Sequence, residues 1–526
     1  MRAAAVVAAV AAVALIAAVP RAATAAVRVE TGRLEGVAAG GLTVYEGVPY
    51  AAPPVGELRW RAPAPAATWT GMRRADAFAP ACLQKGVSMP GETPPAVSED
   101  CLYLNVWTPA RRGGERLPVM VFIHGGGWTN GATSMPLYWG DRLARKGVVV
   151  VTIAYRLGPL GFLVHPELSR EAPGQGSGDY GLLDQIAALK WVSRNIGAFG
   201  GDARRVTIFG QSAGAMSVSL LMASPAAAGL FQRAIGESGG VFEPLQLAPS
   251  YQMASAEKDG LAYAASLGAS SIAQLRALPA AALLEGKTGS VSHPVVGTVI
   301  LPLSPYDAFA AGRQNDVPIL VGSNADEARS LTDVKAVRAA SFGADVAKAF
   351  GPLPAPLIAA YPHATDEAAR QARLDLERDL RFGWDMWAWA RLQAVAGKSK
   401  VFYYRFDERP PFPEGTVRAG WGASHFAELW YVFDHLGQEP WRWTPADRRV
   451  AAAMSTYWTN FARAGDPNGP GLPSWPAFDP RTGAVNQLTD PIHVGAVANL
   501  QTLQVMDQLY SQFRGAPFPM GPKPSP

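Results

Sequence analysis

Cysteine is almost missing from this chain of 526 residues: only Cys82 and Cys101 occur, beside seven histidines. The histidines do not cluster at metal-ligand spacing and two cysteines supply too few thiolates, so no metal is expected. Runs of lysine or arginine are also missing, and a formal charge of +4 is too mild to call for nucleic acid as a partner. Long apolar runs are missing with one exception. Ala3 to Val19 is unbroken, follows Arg2, is ended by Pro20 and leads to Ala23-Thr24-Ala25, a small-x-small cleavage pattern. The run falls short of the ~20 residues that a spanning helix needs. Residues 1–26 therefore read as a removable export signal rather than an anchor, and no membrane contact is expected of the mature chain. In an oxidising compartment Cys82 and Cys101 are expected to pair, closing a loop of about 20 residues worth roughly 3 kcal/mol in the chain-entropy model.

What is present is a large core. Hydrophobic residues make up 48% of the chain and charged residues 17%, a globular composition. Val27–Glu30 and Leu42–Tyr45 alternate like half-buried antiparallel strands, and a proline-rich stretch follows from Pro49 to Pro95. Pro118–Ile123 and Val148–Ala154 are continuously apolar, as central parallel strands are. Gly181–Ile196 carries Leu182, Ile186, Leu189 and Ile196 on one helical stripe. Val206–Phe209, Ala234–Gly236, Pro318–Val321 and Val401–Phe406 are further short strands, with helical insertions at 250–285 and 365–396. Strands alternating with helices predict an α/β fold with a mostly parallel sheet over 27–514 as one domain. The tail 515–526, with five prolines, is expected to be loose.

Gly210-Gln211-Ser212-Ala213-Gly214 stands between the Val206–Phe209 strand and a small-residue helical stretch from Ala215. Gly-x-Ser-x-Gly alone recurs by chance in a chain with 54 glycines. In a strand–turn–helix setting it is a nucleophile elbow, whose turn leaves no room for a Cβ two residues either side of the serine. An acyl-transfer serine also needs a base, an orienting acid and an oxyanion hole. His124-Gly125-Gly126-Gly127-Trp128 follows the Pro118–Ile123 strand directly, and consecutive glycines let backbone amides converge on one oxygen, together with the amide of Ala213. For the base, His293, His363, His425, His435 and His493 follow Ser212, and spacing does not choose among them. His425 lies in a glycine-containing loop before an aromatic segment, a fitting place for a catalytic histidine, and His435 further into that segment is the alternative. For the acid, Asp326 and Glu327 after the Pro318–Val321 strand are equal candidates on position alone.

Further segments carry a resemblance. Tyr45–Ala51, Ser98–Asn105, His124–Trp128, Tyr155–Gly158, Gly181–Gln185, Phe199–Asp202, the elbow, Glu237–Gly239, Gly422–Glu428 and Phe461–Asn468 follow in order. In these the chain resembles the type-B carboxylesterases, which include the cholinesterases and para-nitrobenzyl esterases, over about residues 28–510. The resemblance implies the α/β-hydrolase fold, a small-molecule ester as substrate, and no cofactor or metal. It implies Ser212 as nucleophile, Glu327 rather than Asp326 as acid, and His425 as base. The oxyanion donors would be Gly126, Gly127 and Ala213, and Cys82–Cys101 would match the family's N-terminal disulfide. Two features depart from the pattern. Gln211 stands where many members have glutamate, and no aromatic residue lies between Cys82 and Cys101, where cholinesterases hold their cation with tryptophan. Both argue against a quaternary-ammonium substrate. Two other readings stay open: an esterase for unusual esters, such as mycotoxin tricarballylates, plasticisers or polyester units, and a non-catalytic neuroligin-like binding protein. The second usually loses the serine or its partners, and this chain retains them.

Overall fold

The computed structural model describes residues 26–519 except 88, 90, 91, 175, 288–290 and 352. The segment read as an export signal, apart from Ala26, and the tail from 520 lie outside the described residues. The apolar runs form one eleven-stranded sheet. Its strands are β1 (Val37–Ala39), β2 (Leu42–Pro49), β3 (Tyr103–Thr108), β4 (Leu117–Ile123), β5 (Val149–Ile153) and β6 (Gly201–Gln211). They continue with β7 (Arg233–Glu237), β8 (Ile319–Asn324), β9 (Val401–Phe406), β10 (Ala484–Leu488) and β11 (His493–Ala496). The spatial order is β11-β10-β9-β8-β7-β6-β4-β5-β3-β2-β1. Every pair from β10 through to β5 is parallel, while β5–β3, β3–β2, β2–β1 and β10–β11 are antiparallel.

Because strand side chains alternate between faces, β4 feeds two separate cores. Val119, Val121 and Ile123 pack on one side with Leu182, Ile186 and Leu189 of the helix α1 (Tyr180–Asn195). Met120 and Phe122 pack on the other with Met454, Trp458 and Phe461 of a helix at Pro445–Ala464. That unbroken burial on both faces is why these strands read as continuous apolar runs. The expected insertions are helical: Met253–Ser266, Ile272–Ala277 and Ala280–Leu283 in the first, and Asp366–Arg378 and Trp384–Ala396 in the second. Val27–Val29 pairs antiparallel with Gly32–Glu35, as its alternation suggested, in a small separate sheet that Met72–Arg74 joins. One strand differs from expectation. The elbow strand is longer than its apolar stretch, running from Gly201, with a register irregularity before Val206.

No helix among the described residues is long and apolar enough to cross a membrane. Cys82 and Cys101 are bonded to each other.

Candidate active site

Ligand-handling loops of a parallel sheet gather at the carboxyl ends of its strands. Here β4, β6 and β8 deliver the glycine run, Ser212 and the Asp326-Glu327 turn to that edge. Ser212 has φ 57° and ψ −127°, outside the regions favoured by non-glycine residues, at the junction of β6 with the helix α2 (Ala213–Ala223). The strained turn is held by a 2.8 Å bond from the Ser212 amide to the Glu237 carbonyl on β7, and by the Met216 amide donating to the Ser212 carbonyl at 2.9 Å. A Cβ at Gly210 or Gly214 would press on the Ile123 carbonyl of β4, so the flanking glycines are a steric requirement.

Gly126 and Gly127 have φ 100° and 60°. Their turn closes through the Gly126 carbonyl, which accepts from the Thr129 amide at 3.0 Å and the Asn130 amide at 3.1 Å, so the Gly126 and Gly127 amides are not consumed by it. Ala213 opens α2, and its amide is one that a helix leaves without an internal partner. A Cβ built on Gly125 would lie 3.0 Å from the Ser212 Cβ, which shows how closely the glycine run approaches the serine. Two braces fix that run. Trp128 Nε1 donates to Ser217 Oγ on α2 at 2.9 Å. His124 stacks on Tyr155 at 4.5 Å, and burial pushes its imidazole down to about 4, so it serves there as a neutral ring.

Glu327 and His425 are brought together. His425 Nδ1 and Glu327 Oε2 are 2.6 Å apart, and Glu327 Oε1 accepts the Asn324 amide at 2.8 Å. Asp326 does different work. Its carboxylate accepts the Ala423 amide at 3.1 Å and Arg329 Nε at 3.0 Å, while its own amide donates to the Ala423 carbonyl at 2.9 Å, stitching the acid turn to the histidine loop. His435 is engaged elsewhere: Nδ1 lies 3.1 Å from the Leu137 carbonyl and Nε2 3.0 Å from Asp141. The residue before the serine reaches His425 directly, since Gln211 Nε2 lies 3.4 Å from both of its imidazole nitrogens.

Behind this pair lie groups that the sequence did not reveal. Glu237 and Glu428 are fully buried. Burial pushes Glu237 up to about 8, against a bond from Trp458 Nε1 at 2.9 Å. Burial holds Glu428 well above the usual carboxylate range, reinforced by neighbouring Glu327. Asn324 Nδ2 donates to Glu428 and, at 2.8 Å, to the Ser424 carbonyl. In sequence these glutamates look like any others; only the approach of β7 and the histidine loop to one point buries them.

This burial has a pH consequence. A carboxyl raised from 4.5 to about 8 in the folded chain holds a proton there that the unfolded chain has released. Its contribution is therefore fully favourable below about pH 4.5 and is lost as pH climbs through about 8, on the order of 5 kcal/mol in all. Glu237→Gln should unfold at a temperature that falls less between pH 6 and pH 9 than that of the parent. Equal declines in the two thermal-unfolding series would refute a protonated Glu237.

A cavity of about 540 Å³ lies beyond the glycine run, between the disulfide loop and the histidine loop. Gln84, Glu92, Gly131, Arg418 and Trp430 are among its walls. Gly131 closes the turn begun at Gly126, held there by Gln84, whose side chain accepts the Gly131 amide and donates to its carbonyl, both at 2.7 Å.

The strand order with an elbow at β6 is that of an α/β-hydrolase. A family model described as the carboxylesterase family matches residues 23–351 and 353–506. The fumonisin B1 esterase of Sphingopyxis macrogoltabida is 38% identical over 474 residues, covering 86% of this chain and 84% of that protein. The para-nitrobenzyl esterase of Bacillus subtilis (strain 168) is 35% identical over 481 residues, covering 87% and 93%. A solved PNB esterase superposes with a TM-score of 0.78 at 33% identity, over 91% of this chain and 98% of its own. The chain belongs to the carboxylesterase family, a family of carboxylic ester hydrolases.

Proposed function

We propose that the protein hydrolyses carboxylic esters through Ser212, His425 and Glu327. The observation that carries this reading is the 2.6 Å Glu327–His425 bond, formed on a loop that touches the residue next to the elbow serine. Ser212 Oγ attacks the ester carbonyl carbon while His425 Nε2 takes the hydroxyl proton. The carbonyl oxygen becomes an oxyanion and is held by the amides of Gly126, Gly127 and Ala213. The C–O bond to the alcohol breaks, and His425 returns its proton to the departing oxygen. Water then gives a proton to His425 and attacks the acyl carbon; the bond to Ser212 Oγ breaks, His425 passes that proton to the serine oxygen, and the acid is released. Glu327 fixes the tautomer and balances the imidazolium in both halves. A fluorophosphonate should label the protein one to one, on the peptide that contains Ser212. Label on another residue, or none on folded protein, would rule the scheme out.

The 38% identity to the fumonisin B1 esterase favours one narrower reading, an ester of the fumonisin B1 kind as substrate. A panel of esters varying acid and alcohol separately and including fumonisin B1, ranked by kcat/KM, tests it; fumonisin B1 at or below the simple esters speaks against it.

Export is part of the same proposal. The apolar run before Pro20 and the bonded cysteines support a secreted or periplasmic protein. Mass spectrometry of exported material should find a chain beginning near Ala26 or Val27 with one bridge. An intact Met1, or cysteines alkylated without reduction, would contradict it.

A further inference from the structure

His425 lies on an irregular loop, and its hydrogen bond to Glu327 fixes one edge of the ring. The faces are held by something else. Phe382 stacks on the imidazole with centroids 4.5 Å apart and planes 18° from parallel. Phe426, at φ 72°, meets it nearly edge-on at 4.4 Å. Gln211 Nε2 lies 3.4 Å from both ring nitrogens, a third contact on the imidazole.

Phe382 reaches this position by an unusual route. The helix Asp366–Arg378 passes into Trp384–Ala396 through a π-helical turn at Asp379–Gly383. One extra residue in a helix turns the side chains around it to a new direction, and such turns recur at functional sites. This one is pinned by the fully buried Asp379, which accepts from Arg378 Nε at 2.8 Å, Tyr361 Oη at 3.0 Å, Thr502 Oγ1 at 3.3 Å and Asn499 Nδ2. A Cβ on Gly383 would come 2.8 Å from an Asp379 carboxylate oxygen, so the turn is closed tightly on its own anchor.

We propose that Phe382 is a positioning residue: with the Gln211 amide it clamps the His425 imidazole, so that Nδ1 stays on Glu327 while Nε2 takes and returns the proton. The inference rests on His425 being the base. A displacement of about 1 Å at a reacting group costs on the order of 10²-fold, so holding the ring matters even though Phe382 touches no reacting bond. Filling space alone is the competing explanation, since Phe382 is a core side chain as well.

The test compares Phe382→Leu, Phe382→Met and Phe382→Tyr with the parent. Leucine and methionine fill space without a ring; tyrosine restores the ring. The aliphatic variants should lower kcat by 10- to 100-fold with KM within about threefold, and the downfield proton resonance of the His425–Glu327 bond should broaden or vanish. Phe382→Tyr should return kcat to within about threefold and recover the resonance. Aliphatic variants at parental kcat, a kcat loss with the resonance intact, or a tyrosine variant no better than leucine would each overturn the clamp. Should Phe382→Leu fail to fold, the methionine and tyrosine variants decide. Full activity in His425→Ala would instead remove the base itself; a dead His425→Ala beside an unaffected Phe382→Leu removes only the clamp.

Discussion

Ser212→Ala is expected to lower kcat/KM for carboxylic esters by at least ~10⁴-fold while the protein stays folded. The serine oxygen forms the covalent bond on which both half-reactions depend, and alanine offers nothing in its place. The backbone bonds that hold the strained turn, from the Ser212 amide to Glu237 and from Met216 to the Ser212 carbonyl, do not involve the side chain. Alanine also carries the same steric penalty at φ 57° as serine does. The melting temperature should therefore move little. Residual hydrolysis would come from binding and the oxyanion amides alone. Near-parental turnover in this variant would end the assignment of Ser212.

Glu327→Gln is expected to cost roughly three to four decades in kcat, again in a folded protein. An amide can still accept the Asn324 proton through its oxygen, so the turn survives. What it cannot do is balance the imidazolium across the 2.6 Å contact, and its NH₂ presented to Nδ1 enforces the wrong tautomer. Asp326→Asn gives the contrast, because an amide oxygen can take over the bond from Ala423, leaving the effect within about tenfold. His435→Ala should likewise spare activity, since its nitrogens serve Leu137 and Asp141 rather than the site. If Asp326→Asn or His435→Ala proves as damaging as Glu327→Gln, the acid or the base has been misplaced.

Legibility in the sequence followed burial. Strands β4, β5 and β8, apolar on both faces, stand out as runs, as does the stripe on α1. The pair β10–β11 does not, because the sheet edge leaves His493–Ala496 largely exposed and Asn486 sits buried within β10. β3 is hidden for a similar reason: Asn105, buried mid-strand, bonds to Thr152 of β5 and accepts the Gly47 amide of β2. At the site, the elbow and the glycine run are local signals and could be read as they stand. The partnership of Glu327 with His425 joins loops that follow different strands, and no spacing encodes it; the resemblance had to supply it. The π-turn beneath Phe382 leaves no mark at all, since a single extra residue within a helix only shifts the phase of an already interrupted pattern.

Asp379–Gly383 also bears on how this chain can be recombined with its relatives. The insertion carrying it is a natural unit to exchange when a different substrate range is sought, because the insertions leave the sheet intact. Yet the same segment lays a ring on His425. A crossover placed between Asp366 and Ala396 would separate the π-turn from Tyr361, Asn499 or Thr502, which hold its anchor from other parts of the chain. Chimeras that move the segment together with those three partners should keep the ring on His425, whereas chimeras that move the segment alone should lose turnover along with selectivity.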